Sequence, residues 1–297
     1  MTSLGSWFSR SRFSYALFGE QPAPGTAGTL DRVELWTRVA AGGYPEALAQ
    51  SRPDRRRAWF GAYVTTILPR DVRDLAAIDG LTELPRLLAL LAARTGGLLN
   101  FAELSRASGI PQTTVKRYLT LLEATFLLHP LPAWSANLGK RLVKSPKVYL
   151  NDTGLLAFLV GADRSRLERE PRLAGTFFES FVFQELAKQR TWSQTRPSLY
   201  HFRTQTGLEV DFLLEDAAGR CAGIEVKASQ SLGASDFRGL RQLRESLGKA
   251  LRMGVLLYLG SEVVPFGENL YALPIEALWA GASDSEVQAR GQGPSQI

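Results

Sequence analysis

The stretch EVDFLLEDAAGRCAGIEVKAS, residues 209–229, decides how the second half of the chain folds. It contains two apolar segments with alternating side chains, separated by the turn sequence DAAGR, which is typical of a β-hairpin. A hairpin symmetric about Ala218 places Asp211 opposite Glu225, because each lies seven positions from the centre. Their Cβ atoms would then be about 5 Å apart. Lys227 follows Glu225 on the same strand face.

Two carboxylates and a lysine in this arrangement admit two interpretations. Neighbouring carboxylates repel each other unless a cation lies between them or one of them is protonated. Mg²⁺ is commonly held by one or two carboxylates together with waters and phosphate oxygens, and an adjacent lysine suits metal-dependent phosphodiester hydrolysis. The alternative is a set of ordinary salt bridges on the sheet surface. The spacing alone leaves both open.

The sequence GTFFESFVFQELAKQ, residues 175–189, predicts the helix that precedes this hairpin. Glu179 lies in the middle of its apolar stripe, whereas Glu185 lies at the margin. A carboxylate in an apolar stripe is rarely left without a cation or a donor. We therefore expect Glu179 beside the two hairpin carboxylates, reaching a metal directly or through a water. A buried pair with an arginine such as Arg203 is the alternative.

In the first half of the chain, the sequence pattern of residues 81–135 predicts a winged helix-turn-helix. A helix, a turn at Gly109 and a second helix opened by Pro111 are followed by the apolar strand or wing FLLHPL. The second helix of this motif usually enters the major groove. A packing module that binds protein is the alternative. The outward side chains suited to base edges and phosphates are Gln112, Thr113, Lys116 and Arg117.

Positive charge is concentrated in the same half. Residues 1–160 hold 19 Lys and Arg against 12 Asp and Glu, and residues 161–297 hold 16 against 17. A basic half favours nucleic acid as a partner, although arginine-rich composition explains it equally well. Lys140, Arg141 and Lys144, with Lys147 beyond them, form a basic run beside the predicted strand KVYLN. This run either contacts phosphates or guards a strand edge.

Composition excludes several classes of protein. One cysteine precludes an intrachain disulfide, and with two histidines it argues against a usual zinc site. No apolar run approaches the roughly 20 residues that span a bilayer, and the N-terminus lacks a signal-peptide pattern. We therefore expect a cytoplasmic protein with no membrane segment.

Asp211, thirteen intervening residues and then Glu225-Val226-Lys227 resemble the signature of the PD-(D/E)XK nuclease superfamily. GTFFESF resembles the helix that precedes this signature in archaeal Holliday-junction resolvases. The resemblance implies Asp211, Glu225 and Glu179 as ligands of Mg²⁺ or Mn²⁺ and Lys227 as the catalytic lysine. Val210 stands where the superfamily often has proline.

Residues 31–280 also resemble the C-terminal part of a prokaryotic family of AAA-type ATP-binding proteins. The matching landmarks include GGYPEAL, RDVRDLA and GKRLVKSPKVYLNDTGLLAFLVG. That family normally begins with an ATPase domain, but this sequence has no Gly-x-x-x-x-Gly-Lys-Ser/Thr loop, so we expect no ATP binding. The chain is then either a stand-alone form or a fragment of a longer protein.

Together these features predict a mixed fold with an all-α N-terminal region, a winged helix-turn-helix and an α/β nuclease-like domain whose mixed sheet is flanked by helices. The expected function is a DNA-binding, Mg²⁺-dependent nuclease-like protein, as a homodimer by analogy. The alternative is a non-catalytic DNA- or partner-binding module, accessory to an AAA-type ATPase. The expected parts are a linker or irregular N-terminus at 1–30, helices at 31–80, the winged helix at 81–135, a basic connector at 136–165, the nuclease-like domain at 166–280 and a disordered tail at 281–297.

Overall fold

The computed structural model describes residues 13–18, 30–68, 70 and 83–279. Over these residues a helical N-terminal region is followed by a six-stranded mixed sheet with helices on both faces, which confirms the predicted mixed class. The predicted tail at 281–297 lies outside the described residues, as does the RDVRDLA motif apart from its first residue.

The helical region is built from helices whose starts carry recognisable signals. Asp31 accepts a hydrogen bond from the Val33 amide at the start of α2, and prolines occupy the first turns of α3 and α4. A π-helical turn, Tyr63–Ile67, continues α4. The helices are α1 (Phe13–Ala16), α2 (Arg32–Ala41), α3 (Pro45–Leu48), α4 (Pro53–Ala62), α5 (Leu84–Ala92), α6 (Phe101–Ser108) and α7 (Gln112–Ala124).

Helices α6 and α7 are the two helices predicted on either side of the turn at Gly109. Asn100 caps α6 by accepting from the Glu103 amide at 3.1 Å, and Gly109 ends it with a left-handed φ of 75°. Strand β1 (Leu128–Leu131) follows α7 and pairs antiparallel with β2 (Lys147–Leu150). Between these strands lies the short helix α8 (Leu138–Val143). The buried side of α7 consists of Val115, Tyr118, Leu119, Leu121 and Leu122.

Two segments expected to be connectors are part of the folded structure. Within the expected linker at 1–30, Phe13, Leu17 and Phe18 are buried in the main core. The expected basic connector contains β2 and α9 (Thr153–Val160), and α10 (Arg164–Arg169) begins at its end. Both segments bury apolar side chains. In the sequence these side chains give no clear periodic pattern, because polar residues and glycines surround them.

Asp152 ties two of the sequence landmarks together. Its carboxylate caps α9 by accepting from the Leu155 amide at 2.7 Å and also accepts from the Gly43 amide at 2.6 Å. Gly42 has a φ of 73°, and a Cβ there would collide with the Asp152 side chain and the Gly154 amide. The GGYPEAL and NDTG motifs are therefore packed directly against each other.

The C-terminal sheet has the strand order β3-β4-β5-β6-β8-β7. Strands β5, β6 and β8 run parallel, and the remaining pairs are antiparallel. Helix α11 (Pro171–Trp192) packs in the main core, and α12 (Arg238–Leu247) packs in a second core on the opposite face. The strands are β3 (Ser198–Arg203), β4 (Glu209–Glu215), β5 (Cys221–Lys227), β6 (Leu251–Tyr258), β7 (Val264–Gly267) and β8 (Leu270–Pro274).

The β4–β5 hairpin has the predicted register, since Phe212 faces Ile224 and Glu215 faces Cys221, symmetric about Ala218. The alternation predicted along β4 is wrong at its start. A register shift against β3 leaves two residues of β4, one of them Asp211, opposite a single residue of β3. Val210 therefore packs in the second core, whereas Phe212 packs in the main core. Such a bulge re-aims side chains, here that of Asp211.

Among the helices in the described ranges, none combines the length and the apolar content that crossing a membrane requires.

Candidate functional site

The three predicted acids lie on α11, β4 and β5, and we call Glu179, Asp211 and Glu225 the carboxylate cluster. The first two contact a common ammonium group, that of Lys147 on β2. Its Nζ lies 3.1 Å from Glu179 Oε1 and 3.5 Å from Asp211 Oδ1. One oxygen of Glu179 and one of Asp211 therefore lie close to each other, on the same ammonium group. Glu179 lies beside Asp211, as the helical pattern predicts.

Lys147 is the residue of the site that sequence reasoning missed. Its side chain is only 5% exposed, and its Nζ also lies 3.7 Å from Glu209 Oε2. Burial acts to lower the pKa of Lys147, but the surrounding charges of Glu179, Asp211 and Glu209 more than offset this, so the pKa is raised. The basic run was expected to be solvent-facing, and its last lysine is instead the innermost cation of the cluster.

Glu179 is held from several sides. Tyr149, two residues after Lys147 on β2, donates its hydroxyl to Glu179 Oε1 at 2.5 Å. A Cβ on Gly96, in the turn between α5 and α6, would lie 3.3 Å from the same oxygen. Burial and then the charge of Asp211 raise the pKa of Glu179 to about 7, against the lowering effect of Lys147 and Tyr149.

Asp211 and Glu225 occupy the other end of the cluster. Asp211 Oδ2 accepts from the Val226 amide at 2.9 Å, so its side chain is fixed against β5. Glu225 Oε1 accepts from Lys227 Nζ at 2.9 Å. Its second oxygen, Oε2, is buried without a hydrogen-bond partner among the described residues. Burial and the charge of Asp211 raise the pKa of Glu225 to about 8.

Asp211 and Glu225 are the residues of the cluster that could hold a divalent cation. Over the ranges that the structure describes, no three His, Cys, Asp or Glu side chains are grouped to hold a metal ion. Mg²⁺ needs fewer, since one or two carboxylates and several waters complete its shell. Asp211 and Glu225 provide hard oxygen donors, and the unpartnered Oε2 of Glu225 is a free one. Glu179 and Asp211 both contact Lys147, and Glu179 also accepts from the Tyr149 hydroxyl.

The exposed side of α7 carries the side chains that were predicted to contact DNA. Gln112, Thr113, Lys116 and Arg117 are all exposed, on the side opposite the buried residues of this helix. The Lys116 ammonium lies 5.3 Å from the centre of the Phe101 ring, which fixes it close to α6. We call these four residues the α7 face.

The basic run does not form one surface. Arg141, predicted to contact DNA, is half-buried in a contact within the fold. Its guanidinium binds both oxygens of Glu215, at 2.5 and 2.9 Å, and lies over the rings of Trp134 and Tyr200. A guanidinium that is bound on all these sides has no edge left for a phosphate. Lys144 is exposed, and the side chain of Lys140 lies outside the described residues.

Two family models match the chain in succession. Residues 32–166 match a domain of unknown function (DUF8612), and residues 174–278 match another domain of unknown function (DUF4143), which is associated with AAA-type ATPases. The boundary between them falls at α10 and the start of α11. Lys147 lies in the first matched segment, and the carboxylate cluster lies in the second.

Two curated relatives are similar to the chain over most of its length. They are the uncharacterized proteins Mb2031c of Mycobacterium bovis and Rv2008c of Mycobacterium tuberculosis, each 34% identical over 258 residues. The match covers 86% of this chain and 55% of each relative, so the chain spans about half the length of the relatives it matches. No solved structure matches the chain significantly.

Proposed function

We propose that this chain is a DNA-binding protein whose C-terminal domain has the fold and the site of a Mg²⁺-dependent PD-(D/E)XK nuclease. The observation that carries the proposal is that Asp211 shares the Lys147 ammonium with Glu179 and accepts from the Val226 amide next to Glu225, which is itself bound to Lys227. Buried carboxylates with raised pKa values gain most from a cation, because it removes their mutual repulsion.

Each residue of the site has a defined role in this proposal. Asp211 and Glu225 would hold the divalent ion, which would supply positive charge to phosphate oxygens and lower the pKa of a bound water. Lys227 holds Glu225 at 2.9 Å and adds positive charge next to the reacting phosphate. Glu179 borders the site through its contact with Lys147 and would support the ion from there.

The helical region supplies the affinity for DNA. We propose that α6, α7 and the β1–β2 pair form a winged helix and that the α7 face enters the major groove. Lys116 and Arg117 contribute charge, and Gln112 and Thr113 contribute donors and acceptors for base edges. The exposed position of all four on one side of α7 supports this assignment.

Calorimetry with Mn²⁺ and a cleavage assay on duplex and branched DNA test the proposal. The full chain should bind Mn²⁺ and cut DNA with Mg²⁺, and Asp211→Asn should do neither while remaining folded. Glu185→Gln is the matched control, because Glu185 lies on the same helix but binds Lys188 and the Trp279 indole away from the cluster. Absence of both metal binding and cleavage in the wild-type protein contradicts the proposal.

A second function is favoured by the position of Lys147. Its ammonium already neutralises Glu179 and Asp211, so the cluster is stable as an ion-pair network without any metal. In this case the chain is a non-catalytic DNA- or partner-binding module that works with an AAA-type ATPase. DNA binding without metal binding or cleavage would support this second function over the first.

A further inference from the structure

Lys147 differs from the other cations of the site in its origin and in its contacts. It lies on β2, in the segment that precedes α11, whereas its three carboxylate partners lie on α11 and β4. With its side chain 5% exposed, the ammonium depends on Glu179, Asp211 and Glu209 for neutralisation. An ammonium surrounded by carboxylate oxygens in a buried place has the same surroundings that a bound metal ion requires.

The strand that carries Lys147 is fixed on both sides by the helical region. On one side β2 pairs with β1, which follows α7. On the other side the turn between α5 and α6 bonds to it, through Gly96 N to Val148 O at 2.8 Å and Leu99 N to Pro146 O at 2.8 Å. Strand β1 and the turn between α5 and α6 therefore position the strand that carries the ammonium.

We propose that Lys147 is the resident cation of the carboxylate cluster, and that its ammonium excludes a divalent ion from the space between Glu179 and Asp211. Two-metal sites hold their ions about 3.5–4 Å apart, a spacing that requires carboxylate oxygens on both sides of a shared ligand. Asp211 is the shared ligand here, because its Oδ1 contacts Lys147 and its Oδ2 accepts from the amide of Val226, the residue next to Glu225. The expectation that a single ion binds between Asp211 and Glu225 rests on the proposed function. The exclusion of an ion by Lys147 does not rest on it.

The test is the number of Mn²⁺ ions bound per chain, measured by calorimetry on the full-length protein. Lys147→Met keeps the length of the side chain and removes its charge. We expect this variant to bind one more Mn²⁺ than the wild-type protein. Lys249→Met is the matched control, since Lys249 is exposed and lies after α12, and it should bind as the wild-type protein does. An unchanged number of ions in Lys147→Met overturns the inference.

The outcomes separate this inference from the proposed function. If the wild-type protein binds no ion and Lys147→Met binds one, the exclusion stands and the proposed function fails. If both bind one ion, the proposed function stands and the exclusion fails. Should Lys147→Met unfold without metal, its melting temperature is measured with added Mn²⁺. Rescue by Mn²⁺ but not by NaCl of equal ionic strength supports the exclusion, and no rescue overturns it.

Discussion

The carboxylate cluster and the α7 face hold their charged side chains in opposite ways. In the cluster, acids and lysines from four elements neutralise one another in a half-buried place. On the α7 face, polar and basic side chains from a single helix point outward into water. Charges that are buried together depend on one another, whereas exposed charges act independently. Substitutions should therefore be coupled in the first region and additive in the second.

The largest effect is expected at Asp211. Asp211→Asn keeps an oxygen for the Val226 amide, so the strand geometry should persist, but it removes the charge that holds the ion. Cleavage of DNA in Mg²⁺ should fall to the background measured in EDTA, with the folded structure intact by circular dichroism. A variant that still cuts at a substantial rate would exclude Asp211 as a metal ligand.

Removing charge from the α7 face should weaken DNA binding by about fiftyfold at 0.1 M salt, because two phosphate contacts are lost. The change is Lys116→Ala with Arg117→Ala, and the slope of log affinity against log salt should become shallower by about 1.8. The control removes two exposed arginines elsewhere, Arg169→Ala with Arg172→Ala. Equal losses of DNA affinity in both double variants would mean that only the net charge of the chain matters. DNA would then not bind at the α7 face.

The pair of Arg141 and Glu215 should stabilise the fold alone. Glu215→Gln should lower the free energy of unfolding by about 2 kcal/mol at pH 7, with DNA binding unchanged. The hydrogen bond from Arg141 lowers the pKa of Glu215, so this stabilisation is present above the ordinary carboxyl pKa and is lost as the pH falls through the lowered value. Urea unfolding of the wild-type protein and of Glu215→Gln at several pH values checks this. A difference in their free energies of unfolding that persists in strong acid would contradict it.

The smallest effect should be at Glu179. Glu179→Gln removes a charge that borders the metal site, so Mn²⁺ affinity should fall by about tenfold, as for residues that support a ligand. Glu185→Gln, on the same helix, should leave affinity within about twofold of the wild-type value. Calorimetry of the two variants side by side measures the contrast. Equal Mn²⁺ affinities of the two variants would show that Glu179 serves only as an ion-pair partner and does not support metal binding.

Local patterns predicted much of this structure. The register of the β4–β5 hairpin follows from the symmetry of the sequence about Ala218, and α7 begins directly after Pro111, as predicted. The position of Glu179 follows from helical periodicity. Each of these depends on residues close together in the chain, where spacing translates directly into geometry.

Long-range contacts account for what could not be predicted. Lys147 ends a run of basic residues, and its burial depends on acids at least 32 positions away. Arg141 meets Tyr200 and Glu215 only after the sheet has formed. The bulge at Asp211 depends on the register against β3, which the alternating pattern of β4 does not contain. Whether a charged side chain is buried depends on such partners, which are distant in the sequence, and not on the residues next to it in the chain.

A crystal of the protein soaked with Mn²⁺ tests the central claim most directly, since Mn²⁺ is located by its anomalous scattering. The account predicts one peak within bonding distance of both Asp211 and Glu225, about 2.0–2.2 Å from their oxygens, with Lys147 still bound to Glu179. Fully soaked crystals with no peak between Asp211 and Glu225 would contradict it, and the cluster would then be a metal-free ion-pair network.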